Sequence, residues 1–499
     1  MHSPTPNRWL LLLTVASGLL LITLDNSVLY TALPTLSREL GASAAQALWV
    51  INAYPLVMAG LLLGSGTLGD RIGHRRMFLI GLAIFGVASL LAAFAPTAEL
   101  LIGARGVLAV GAAAMMPATL ALIRHAFEDE RERNLAIAIW GCLSIVGSAL
   151  GPIIGGLLLE HFWWGSVFLI NVPVVLLAVC GTLVFAPHGQ HDLSKQWDLL
   201  SSLLALGALS GLVFAIKAIA HAPPSWMQAA MALAIAVVSA ALFVRRQAQL
   251  PYPMLEFSIF RNPAFLSGTL AAGFAMFAIG GLQLLTTQRF QLVAGFSPLD
   301  AGVLVSAAAL GSLPSALLGG AYLHRIGLRR LISGGLALGA IGVAVIAAGF
   351  AHGMSWIVSG LLIAGIGAGA AMSAASSAII GNVPAHRAGM ASSVEEVSYE
   401  FGNLFAVALL GSLVAALYSA WLDIPAGIGE VARAGVSQAL ALADARGRSD
   451  LAHAAASAYD AAYISVLYVI AAALSIGAVV TGVLLRRYGP GSATSLASH

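Results

Sequence analysis

Five ionisable side chains stand inside long apolar stretches of this 499-residue chain: Asp25, Arg105, Glu395, Glu396 and Glu400. A charged side chain at lipid depth costs roughly 2.5 to 3.5 kcal/mol or more, so each of the five needs a partner or a task. Four acids and one base leave a balance of minus three when all are ionised, and such an interior attracts cations and repels anions. Removal from water also disfavours the charged form of a carboxylate, which makes proton exchange part of the available chemistry.

The stretches themselves dictate the setting. The chain is 59% hydrophobic and 9% charged, with a mean hydropathy of +0.92, whereas soluble domains carry about 25% charged residues. Windows of about 20 apolar residues predict fourteen membrane-spanning helices, from one near 9–33 to one near 461–485. Of the Lys and Arg residues, only Arg38, Lys217, Arg289, Arg433, Arg446 and Arg448 fall on one side and Arg105 inside a span; the rest fall on the other side. The positive-inside rule then places both termini in the cytoplasm of a plasma membrane, the inner membrane in a Gram-negative cell. The first span is too long for a cleaved signal peptide and is expected to remain as a helix. Cys142 and Cys180, both in apolar spans, are expected to be packing residues without a disulfide or metal role.

An internal repeat organises the spans. GTLGDRIGHRR, residues 66–76, and GAYLHRIGLRR, residues 320–330, match at six of eleven positions and close the second and tenth spans. Spans 1–6 then correspond to spans 9–14, with spans 7 (198–217) and 8 (227–244) inserted between them. Two related six-helix halves are a transporter architecture, with the substrate site near the midplane between them. The expected division is residues 1–187, a connector with the inserted hairpin at 188–250, and 251–499, with an outer loop at about 422–460.

Depth along the helices refines the site. Asp25 lies toward the outer half of span 1, and Arg105, six residues into span 4, lies at comparable depth, so the two can face each other. Glu396 and Glu400, four residues apart, share a helical face, while Glu395 is turned about 100° away. Either a cationic substrate or a proton relieves their repulsion, which is the competition an antiporter needs. Glu395 and Glu396 sit near the cytoplasmic end, where reaching the interface is the plainer reading; Glu400 is deeper. Tyr399, Phe405, Trp49 and Tyr54 are candidates to stack on a lipophilic cation, with helix packing the alternative for each.

In the repeated loop, Gly66 and Gly73 allow tight turns, Asp70 can pair with a basic residue, and Arg71, Arg75 and Arg76 hold the cytoplasmic face. His324 replaces Asp70 in the second copy, so the first loop is expected to carry a gating latch. In GSALGPIIGG, Gly147, Gly151 and Gly155 recur every four residues beside Pro152 and Gly156, giving a bare stripe suited either to packing or to a helix that slides or bends.

These segments resemble the major facilitator superfamily. GTLGDRIGHRR is similar to its loop motif, LLIGARGVLAVGAA with Arg105 to its fourth-helix motif, and GSALGPIIGG to the fifth-helix motif of its antiporters. LDNSVLYTALP and WGSVFLINVPV resemble the first and sixth spans of the fourteen-helix drug:proton antiporters. The resemblance implies an all-α polytopic fold and alternating-access efflux of lipophilic cations, such as quaternary ammonium compounds, cationic dyes and biocides, in exchange for protons. It also implies proton coupling at Asp25 and Arg105, with Glu400 added here from its position. Similar exporters carry further acids in spans 2 and 10, whereas here Asn52 stands in span 2 and span 10 has none, which weighs against export of dications.

Three other classes compete. A same-fold carrier that takes up another small solute fits poorly with the acid-rich interior and the glycine stripe. An integral membrane enzyme would rest on His125 and Asp129, one residue short of an acyltransferase spacing, and no HExxH is present; neither lysine sits in a nucleotide-binding loop. A receptor without transport leaves the repeated loop and the buried acids without a purpose. The expected partners are protons, small lipophilic cations and the bilayer, with no cofactor, no metal and no nucleic acid, and the chain is expected to work as a monomer.

Overall fold

The computed structural model describes residues 8–127, 129–187, 198–220, 225–251, 253–383, 388–423 and 430–488. Lys195 and Arg387 of the charge asymmetry, most of the connector at 188–196, and the Cys142 side chain lie outside the described residues. No strand occurs among those described. Among the described residues, thirteen helices are long and apolar enough to cross a membrane. The remaining expected span is a 32-residue helix whose described apolar part is Val146–His161.

In chain order the long helices are α1 (Arg8–Glu39), α2 (Ala44–Ile72), α3 (His74–Ala93), α4 (Ala98–Ala126), α5 (Glu130–His161), α6 (Ser166–Phe185), α7 (Leu199–Ala220) and α8 (Trp226–Gln249). They continue with α9 (Pro263–Leu292), α10 (Pro298–Ile326), α11 (Leu328–Gly349), α12 (Met354–Ile380), α13 (Met390–Trp421) and α14 (Ser449–Leu484). Large apolar side chains such as Leu177, Met227 and Leu310 point outward. With its backbone hydrogen bonds satisfied inside helices, such a surface suits hydrocarbon. Cys180 also lies on this outward surface of α6, not in the packing role expected from sequence.

Side chains from α1–α6, joined by Leu284 of α9 and Val397 and Val407 of α13, form one buried cluster, and side chains from α9–α14 form another. A smaller cluster holds the inserted hairpin: Leu209 and Val213 of α7 meet Leu56 and Ala59 of α2 and Leu404 and Ala408 of α13. Helix α7 thus lies over the seam between the two larger clusters. Its start is tied to α8, where Arg246 Nε donates to Asp198 at 2.9 Å.

The two repeated loops share a backbone geometry. Gly73, between α2 and α3, has φ of 93°, and Gly327, between α10 and α11, has φ of 84°. Side-chain-bearing residues rarely adopt that region, so glycine at both places permits the sharp reversal.

The two clusters meet mainly at the end of the bundle remote from residue 8. There Gln291 Nε2 of α9 donates to the Thr31 carbonyl of α1 at 2.9 Å. Ser306 Oγ of α10 donates to the Ala149 carbonyl of α5 at 3.2 Å. Within the outer loop expected at 422–460, the segment with helical spacing forms a short helix at Val436–Ala445, while α14 already begins at Ser449, ahead of the last span expected near 461. About three turns of α14 therefore precede the expected start of the last span. Arg289 of α9 pins this extension through a forked pair with Asp460, at 2.8 and 3.0 Å.

Candidate transport site

Asp25 and Arg105 face each other as the depth count predicts. The Arg105 Nη1 donates to Asp25 Oδ2, and both side chains are removed from solvent. The other carboxylate oxygen, Oδ1, accepts from Asn171 Nδ2 of α6 at 2.8 Å, and the same amide reaches Ser89 Oγ of α3 at 3.2 Å. Arg105 is held further by its Nε donating to the Val50 carbonyl at 3.3 Å and by the Tyr54 ring, 4.6 Å from the guanidinium carbon. Five of the first six helices therefore converge on one carboxylate and one guanidinium. Removing either partner would strand the other charge, at a cost of about 3 to 5 kcal/mol.

Polar capacity is left over around this pair. Arg105 Nη2, the Tyr54 hydroxyl and both amide atoms of Asn52 are buried without a hydrogen-bond partner among the described residues. So is Glu400 Oε2, which comes from the other cluster. Glu400 lies within electrostatic reach of Arg105, and Tyr54 senses both Asp25 and Glu400. The deeper glutamate thus faces the ion pair across the seam. Unpaired donors and acceptors so close to a buried charge pair are a reservoir that protons or a bound solute can use.

The other glutamates are spaced as the helix demands. Glu395 is buried and accepts from the Tyr399 hydroxyl at 2.7 Å, with Ser376 of α12 as a second donor. Glu396 lies within electrostatic reach of both Glu395 and Glu400. Tyr399 is thereby committed to Glu395. Phe405 stacks on Phe401, with centroids 6.0 Å apart and planes 10° apart. Beyond Phe405, residues Ala406–Gly411 form a π-helical turn inside α13, a distortion frequent at functional sites. Trp49 stands apart from the acids: it packs on Phe214 of α7 and lies under Lys217 Nζ, 4.0 Å from the ring centre.

Helix α5 lies beside the site with two different faces. A side-chain carbon added at Gly147, Gly151 or Gly155 would meet Thr23, Ser27 or Val28 of α1, the turns that flank Asp25. One added at Gly156 would meet Leu299 of α10, and Gly302 of α10 sits on the Pro152 carbonyl. The stripe therefore seats α5 on α1, while its Pro152–Gly156 edge seats it on the other cluster. Across the turn between α2 and α3, Asp70 in the last turn of α2 pairs with His74 Nε2 of α3 at 3.1 Å, and Arg75 of α3 donates to the Leu183 carbonyl of α6 at 2.8 Å. Gly66, expected at a tight turn, lies instead inside α2 beside Pro117 of α4, so only Gly73 serves the reversal, and Arg71 and Arg76 are exposed.

Sequence reasoning passed over Asn171 and the pair Tyr30 and Asn403. The Tyr30 hydroxyl of α1 donates to Asn403 Oδ1 of α13 at 2.6 Å, fully buried between the two clusters. Each of the three is a polar residue inside an apolar stretch, which is the signal by which they were accessible.

Long apolar helices enclosing a buried charge cluster mark a polytopic membrane protein of the transporter class. Residues 15–406 match the Major Facilitator Superfamily, and the chain belongs to that family. It is 39% identical to the multidrug efflux pump LfrA of Mycolicibacterium smegmatis over 97% of both chains. It is also 39% identical to the methyl viologen resistance protein SmvA of Salmonella typhimurium, over 86% of this chain and 88% of that one. With the multidrug resistance protein Stp of Mycobacterium tuberculosis it shares 32% identity, over 84% and 78% respectively. Among solved structures, a bacterial homologue of the human lysosomal transporter Spinster, in an inward-facing and unoccupied conformation, superposes with a TM-score of 0.67 at 18% identity. That match covers 97% of this chain and 98% of the other, and it speaks to the fold alone.

Proposed function

We propose that this protein is a proton-driven exporter of lipophilic cations, including quaternary ammonium compounds. The observation that carries the reading is the buried Asp25–Arg105 pair with Glu400 within electrostatic reach of Arg105, its Oε2 without a hydrogen-bond partner among the described residues. A proton on Asp25 removes the charge that neutralises Arg105, and Arg105 then turns to Glu400. A cation arriving at Glu400 competes for that same carboxylate. Proton and substrate thereby alternate on one set of charges, which is the requirement of exchange. The similarity to proteins named multidrug efflux pump and methyl viologen resistance protein supports the substrate class.

The remaining roles follow in the same reading. Residues 1–187 and 251–499 are the two moving halves, and 188–250 carries the inserted hairpin. Both termini face the cytoplasm, and the contacts joining the halves at the remote end close the outer side. The loop with Gly66, Asp70, Arg71, Gly73, Arg75 and Arg76 latches the cytoplasmic side, and Gly147, Gly151, Pro152, Gly155 and Gly156 let α5 shift against α1 and α10. Glu395, Glu396, Tyr399, Tyr54, Asn52 and Phe405 shape the cation path, and a single chain completes the cycle. Spans 2 and 10 lack the further acids of similar exporters, but the likeness to a methyl viologen resistance protein keeps dications in the proposal; expelling one against 100 mV costs about 4.6 kcal/mol, so the two acids Asp25 and Glu400 serve better than one.

Purified protein in liposomes tests this. An imposed pH gradient should drive ethidium and methyl viologen across the bilayer only when the protein is present. Failure with every lipophilic cation tried would leave a carrier of another solute.

A further inference from the structure

A groove of about 940 Å³ opens between α11 and α14 at the end of the bundle that bears residues 8 and 488, away from the charge cluster. Arg329, Arg330 and Arg486 stand around its mouth, all three exposed and none with an ion-pair partner among the described residues. No carboxylate lines it among the described residues. Deeper along α11 and α14 the walls are apolar, with Ala337, Val479 and Val483. From Arg330 to Ala337 the groove descends about 10 Å along the helix, from headgroup level into the hydrocarbon layer.

We propose that this groove holds an anionic phospholipid, its phosphate among the three arginines and an acyl chain along the apolar walls. The repeat within the chain offers a contrast between the two copies. In the first copy, Arg75 spans from the loop to the Leu183 carbonyl of α6 and closes the gap at 2.8 Å. The matching residue of the second copy is Arg329, and α14 presents Arg486 to it across the groove. Like charges cannot close that gap, and an anion between them can. A free phosphate would satisfy the mouth but leave the apolar walls uncovered, whereas a lipid covers both. Basic pockets between helices at the membrane surface recognise such headgroups, and three basic residues together favour an anionic over a zwitterionic lipid by roughly a hundredfold.

The test is native mass spectrometry of the full-length protein in detergent, titrated with cardiolipin and, in parallel, with phosphatidylcholine. Wild type should retain cardiolipin with a preference of about a hundredfold. Two variants should lose it: Arg329→Gln/Arg330→Gln/Arg486→Gln, which removes the charge, and Gly334→Phe, which keeps every charge and fills the groove. Nothing lies within 4 Å of a side-chain carbon built at Gly334, so the added side chain starts in the open groove and not in the packed core. Should the triple variant fail to fold, Gly334→Phe decides the matter alone. No preference in wild type overturns the proposal, and so does retention in Gly334→Phe, which would assign binding to surface charge without the groove. Neither result touches the transport reading.

Discussion

Tyr30 and Asn403 join the two acid-bearing helices through one buried hydrogen bond of 2.6 Å. Tyr30 sits five residues beyond Asp25 on α1, and Asn403 three residues beyond Glu400 on α13. A change of charge at either acid is thus felt within about one turn of the contact that ties the halves together. In an alternating-access cycle this bond must open when the remote end opens.

Tyr30→Phe should therefore weaken the remote-closed state by about 1 to 3 kcal/mol, since Asn403 is left with an unsatisfied buried oxygen. A cysteine placed at Leu48, which packs on Gly411 in the same seam, should react faster with an impermeant thiol reagent in that background, by fivefold or more. An unchanged rate would remove the bond from the gating contacts.

Asn171 donates to the Asp25 oxygen that Arg105 does not take, and it links α6 to the pair. Asn171→Ala should reduce pH-gradient-driven export about tenfold and move its pH optimum, with substrate affinity little altered. A rise in KM at constant maximal rate and pH optimum would place Asn171 in substrate binding instead.

Glu400→Gln removes the carboxylate that faces Arg105 from the other half. Methyl viologen export should be lost, while ethidium, with one charge, should retain a reduced rate with KM raised roughly tenfold. Glu396→Gln should alter both less, and transport assays in liposomes compare the two directly. Equal loss of both substrates in Glu400→Gln would contradict a charge-counting role.

Trp49 sits beneath Lys217 and against Phe214 of α7. We expect Trp49→Ala to loosen the hairpin, lowering the thermal midpoint, and to leave KM for lipophilic cations within about twofold, since a cation–π contact of this kind is worth about 0.5 to 2 kcal/mol. A selective rise in KM without loss of stability would return Trp49 to the cation path.

The span pattern and the meeting of Asp25 with Arg105 were legible because both depend on quantities the sequence carries: apolar length and depth counted in residues. The turn glycines Gly73 and Gly327 were legible because the motif occurs twice. Asn171 and the Tyr30–Asn403 bond depend on which helix faces pack together, and sequence spacing within one helix does not report that. The early start of α14 was missed for another reason. Residues 449–460 are rich in Ala, Ser, His and Asp, so apolar windows pass over them, while alanine favours the helix and Arg289 anchors it through Asp460. The π-helical turn at Ala406–Gly411 leaves no periodic trace in so short a segment.

The central claim, that protons titrating the Asp25–Arg105 pair drive cation export, is tested in everted membrane vesicles holding an imposed pH gradient, to which ethidium is added while the internal pH is followed. The gradient should collapse with the wild-type protein and persist with Asp25→Asn present in the membrane at equal amount. Collapse of equal size in Asp25→Asn, or none in wild type with ethidium and methyl viologen alike, would contradict it.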